Sequence, residues 1–97
     1  IMIKVNLIKT NDIVTGLQVT GHAKSAEYGK DLICAAVSAI LTGGFNAFND
    51  SDIKSIELKE GYAFVEVNLN KGQEVLKVLE IQLKTLEESY PKYIKIK

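Results

Sequence analysis

The 97-residue chain has no tryptophan, a single proline, a single cysteine and a single histidine, and all twelve of its basic residues are lysine. Each shortage removes a class of protein. One cysteine cannot form an internal disulfide, so Cys34 is a small buried apolar residue, a metal ligand or a reactive thiol. Without arginine the chain lacks the forked guanidinium donors suited to phosphate and base edges. Twelve acidic residues cancel the lysines, and autonomous nucleic-acid binding is not expected. No stretch approaches the roughly 20 consecutive apolar residues of a membrane helix, and no basic segment leads into an apolar one, so a cytoplasmic location is expected. Linker-like composition, internal repeats and low-complexity segments are also missing. Residues 1–97 therefore read as one domain, with Ile1, which precedes Met2, set aside as an expected remnant of expression.

What is present is an ordinary globular composition, 46% hydrophobic and 25% charged, with a mean hydropathy of +0.06. Ile3, Val5 and Leu7, then Leu17 and Val19, alternate with polar residues on either side of Thr10-Asn11-Asp12, which predicts a hairpin. Residues 22–30 show neither strand nor helix periodicity, lie between Gly21 and Gly29, and read as a loop. Asp31 suits an N-cap or a first-turn position. A helix is expected from Leu32, reaching about residue 42 and interrupted by Gly43-Gly44 before Phe48. Ile56 and Leu58 face Ala63, Val65 and Val67 across Glu60-Gly61, a second hairpin. Asn70 and Gln73 resemble a capping box opening a second helix, with an apolar stripe of Val75, Leu76, Val78, Leu79, Leu83 and Leu86 that ends at Pro91. Ile94 and Ile96 alternate with lysines as a final strand, whose lysines discourage edge pairing. The order ββαββαβ predicts an α+β sandwich with a mainly antiparallel sheet and two helices.

Cys34 falls in the first turn of the first expected helix, about three residues after Asp31. There, unsatisfied N–H groups and the positive dipole end favour a thiolate, and the same groups can receive the oxyanion of a tetrahedral intermediate. His22 ends the preceding strand, and the loop after it returns the chain to Cys34, so the imidazole is placed to act as base and leaving-group acid. Structural roles account for the same residues: Cys34 as core among Ile33, Ala35 and Ala36, His22 as a polar strand end, Asp31 as a cap and Ser38 as a small packing residue. A metal site of His22, Asp31 and Cys34 lacks the tight pair spacings of zinc sites, and no metal or cofactor is expected.

Gly21-His22-Ala23, then Gly29, Asp31 and Cys34-Ala35-Ala36-Val37-Ser38, together resemble the signature of the Prp family of ribosomal-processing cysteine proteases. The resemblance implies a single cysteine protease domain with a His22–Cys34 catalytic dyad, supporting roles for Asp31, Ser38 and Gly21, and a homodimer. It also implies a substrate. Members remove a short N-terminal extension from a large-subunit ribosomal protein whose mature N-terminus reaches toward the peptidyl-transferase centre. The segment from Ala23 to Lys30, bounded by Gly29, is expected to gate the site by ordering when the extension peptide binds. The competing reading is a non-catalytic ribosome-associated module in which Cys34 is core and the signature loop docks a protein partner.

Overall fold

The computed structural model describes residues 2–21 and 28–97, with the backbone alone for 28–31. Both hairpins form. Strands β1 (Ile3–Thr10) and β2 (Ile13–Thr20) meet at Asn11-Asp12, whose φ values of 52° and 66° are the left-handed pair that a two-residue turn needs to match strand twist. Strands β3 (Ile53–Lys59) and β4 (Tyr62–Val67) meet at Glu60-Gly61, where Gly61 has φ 80°. Helix α1 spans Tyr28–Phe45, α2 spans Gln73–Ser89, and β5 is Ile94–Ile96, with a short 3-10 turn at Asp50–Asp52 before β3. The order is ββαββαβ, as the sequence predicts.

The strands make one five-stranded sheet in the order β3-β4-β2-β1-β5. Every pairing is antiparallel except that of β1 with β5. Register carries the alternation across the sheet. Val5, Val19, Ala63 and Leu58 stand in one row, and Leu7, Leu17, Val65 and Ile56 in another. Partners directly opposite share a face. Both rows therefore lie on the side where Ile33, Val37 and Leu41 of α1 and Leu76, Leu79 and Leu83 of α2 close a single core. The other face is polar, with Asn6, Gln18 and Tyr62 joined by long hydrogen bonds of 3.5 and 3.4 Å. Helix α2 packs on β2 and β5, with α1 beside it. None of the described helices is long and apolar enough to cross a membrane.

Three local expectations are corrected. Helix α1 begins at Tyr28, so Gly29 and Lys30 are helical where a loop was expected, and of the two positions expected for Asp31 the first turn holds and the cap does not. A first helical turn needs no apolar stripe, and periodicity therefore misses it. The helix also passes through Gly43-Gly44 to Phe45. A Cβ on Gly44 would collide with the Leu79 side chain, so glycine lets the two helices approach and tertiary contact offsets its low helix propensity. The Asn70–Gln73 capping box does not form. Asn70 is left-handed at φ 65°, and the residue preceding α2 is Gly72, with no side-chain cap. Because α2 begins at Gln73, that residue is the first of the helix and not the third, and Asn70 lies two residues before the cap position. Gln73 instead donates from Nε2 to the carbonyls of Val14 (3.0 Å) and Lys71 (3.2 Å), tying the start of α2 to β2.

Candidate active site

Cys34 is built into the buried side of α1. Ile33, Val37, Leu41 and Phe45 recur four residues apart and are all buried, and Cys34 lies next to this stripe at 4% exposure. Ser38, one turn further on, is half-buried. Because α1 starts at Tyr28, Cys34 is its seventh residue and falls in the second turn. The unpaired N–H groups of a helix terminus belong to its first four residues, and the dipole's influence fades beyond that turn. The helix end therefore does not supply Cys34 directly with thiolate stabilisation or oxyanion donors, as expected from a start at Leu32. Asp31 is the fourth residue of α1, inside the first turn and not at its cap.

Gly21 closes the other side of the constellation. It follows the last residue of β2, has φ 84°, and donates its N–H to the Gly61 carbonyl at 3.1 Å. A Cβ at this position would lie 2.8 Å from the Met2 carbonyl oxygen. Both the left-handed backbone and the close approach require glycine. The residue that must leave the sheet in a fixed direction is thus clamped between the entry to β1 and the turn of the β3–β4 hairpin. His22 follows it immediately. His22 and Ala23 lie outside the described residues, as does the segment of the expected gating loop up to residue 27; its last three residues, 28–30, are helical.

Phe48, just past α1, packs where the Val67 side chain and Gly72 converge, which puts the C-terminal end of α1 near the end of β4. Over 18 residues the helix is roughly 27 Å long, and Cys34, its seventh residue, lies in the half away from that end. Gly61 was legible in sequence only as a turn residue. Its role as acceptor for Gly21 is a tertiary contact across 40 positions and leaves no local signal. Among the described residues, no group of His, Cys, Asp and Glu side chains could hold a metal ion.

Comparison with known proteins bears on this arrangement. The family model described as cysteine protease Prp matches residues 2–95. The ribosomal processing cysteine protease Prp of Mycoplasma genitalium is 38% identical over 93 residues, covering 93% of this chain and 94% of that protein. Its Staphylococcus aureus namesake is 32% identical over 90 residues, covering 86% and 85%. The crystal structure of the S. aureus protease with a substrate peptide superposes with a TM-score of 0.87 at 28% identity, covering 99% of this chain and 98% of that one. A second S. aureus structure, with a covalently linked product peptide, gives 0.79 at 30% identity, covering 98% and 97%.

Proposed function

The chain belongs to the Prp family of ribosomal-processing cysteine proteases, and from that premise we propose that it removes the N-terminal extension of a large-subunit ribosomal protein, with Cys34 as nucleophile and His22 as base. The observation that carries the assignment is the match of the family model over residues 2–95, supported by the superposition on the S. aureus protease that holds a substrate peptide. His22 takes the thiol proton, and the Cys34 thiolate attacks the scissile carbonyl. The tetrahedral intermediate collapses as imidazolium protonates the leaving amine, and water then cleaves the thioester with His22 again as base. With Cys34 in the second helical turn, activation rests chiefly on the imidazole. Asp31 and Ser38, three residues before and four after the nucleophile, are supporting residues. Cys34 as a residue is only 4% exposed, so a substrate carbonyl reaches its sulfur after a rearrangement, and the segment from Ala23 to Lys30 is the gate in this reading. A homodimer acting in the cytoplasm completes the reading.

Incubation with the ribosomal-protein precursor, followed by mass analysis, tests the chemistry and the substrate together. Wild-type protein releases the extension. Cys34→Ala and His22→Ala each lose turnover by at least about a thousandfold with unchanged melting, because the pair acts as a unit. Retention of turnover by either variant removes the dyad. Asp31→Asn keeps much of the polarity without the charge. A loss of activity beyond about tenfold with unaltered melting assigns the carboxylate to the site.

A further inference from the structure

The helix layer stops short of one sheet edge. Ile56 and Leu58 of β3 stand in the rows of Leu17–Val65 and Val19–Ala63, on the side of the sheet that buries Cys34. Their row partners on β2 and β4 are fully buried, yet Ile56 and Leu58 remain 43% and 44% exposed. They form an apolar shelf beside the helix layer. The opposite edge is closed: β5 has only three residues, and its Ile96 N–H donates to Glu87 Oε2 of α2 at 3.0 Å. Strand β3 has seven residues, enough for an extended segment of about 23 Å. The shelf leads to the site. Lys59, next to Leu58, pairs with Tyr62, which pairs with Thr20, and the adjoining Gly61 holds Gly21. Leu32, two residues before Cys34, is a further exposed apolar side chain, at 55%.

We propose that this shelf seats an extended segment of the peptide substrate, with Ile56 and Leu58 as specificity-determining contacts that select apolar side chains. The inference rests on the proteolytic reading above and adds where the substrate lies and which side chains it presents. A peptide suits the shelf better than a second copy. Two apolar side chains interleaved with Glu57 and Lys59 fall far short of the roughly 1,200 Å² that a stable protein interface buries, whereas a short extended chain needs only a narrow strip that continues into the site. Val78, expected in the buried stripe of the second helix but 54% exposed, and Ile81, also exposed, lie on α2 and so on the helix that packs toward β5.

The test uses the double variant Ile56→Lys/Leu58→Lys, with Ile81→Lys as control, and a synthetic peptide spanning the extension and its junction. Expected is a rise in KM of about tenfold or more for the double variant, kcat within about threefold of wild type, and no change for the control. Binding of the fluorescent peptide to Cys34→Ala, with and without the double substitution, reads the shelf independently of turnover. If wild-type protein binds the peptide through the shelf but leaves it uncut, the proteolytic assignment fails and the shelf stands. Equal affinity with and without the double substitution overturns the shelf, even if cleavage is intact. So does a change from dimer to monomer in sedimentation caused by the double substitution, which would make the shelf a contact between copies.

Discussion

Leu17 in the first hairpin and Leu58 in the second stand on the same side of one sheet, each in a strand closed by a two-residue turn, yet Leu17 is fully buried and Leu58 is 44% exposed. Their local sequences read alike. The difference arises outside either hairpin, because β1 and β2 are inner strands under the helices, whereas β3 is an edge beyond them. Alternation reports which side of a sheet a residue takes, and the helix layer decides whether that side is dry.

The comparison breaks most visibly at Leu17. Leu17→Ala opens a cavity in the row between Leu7 and Val65 and should cost about 2–5 kcal/mol by denaturant titration. A cost below about 1 kcal/mol would mean that the first hairpin is no better covered than the second. Gly21→Ala comes next, since it forces a side chain onto left-handed backbone and against the Met2 carbonyl. It should cost about 1–3 kcal/mol and, on the proposed dyad, lower kcat/KM by more than that destabilisation explains, because Gly21 immediately precedes His22 in the chain. Activity following stability one-for-one would reduce Gly21 to a turn residue. Leu58→Ala is the smallest, within about 1 kcal/mol in stability, and a larger loss would show that the edge strand is covered in solution.

The strand pattern was legible because period-two alternation and the turns at Asn11-Asp12 and Glu60-Gly61 are local properties. Errors cluster where distant parts of the chain decide the outcome. Gly43-Gly44 reads as a break until Leu79 is placed against Gly44, and Gln73 reads as half of a capping box until the Val14 carbonyl comes within 3.0 Å. The start of α1 was misplaced because Tyr28 to Asp31 show no stripe, and that shift moved Cys34 out of the first turn. Cys34 itself became a candidate nucleophile through the joint signature from Gly21 to Ser38. By composition alone it is one more small apolar residue of a core, which is also what its burial resembles.

The parallel pairing of β1 with β5 has a consequence for how the molecule is made. It joins residues 3–5 to residues 94–96, secured by the Ile3 N–H to the Tyr93 carbonyl and the Lys97 N–H to the Val5 carbonyl, both at 2.9 Å. During synthesis β1 and β2 can close on each other within microseconds, but the outer flank of β1 stays unsatisfied until nearly all of this sequence has left the ribosome. The nascent chain thus carries an open strand beside a finished hairpin for most of its elongation, and the last ladder to form shelters the first strand that was made.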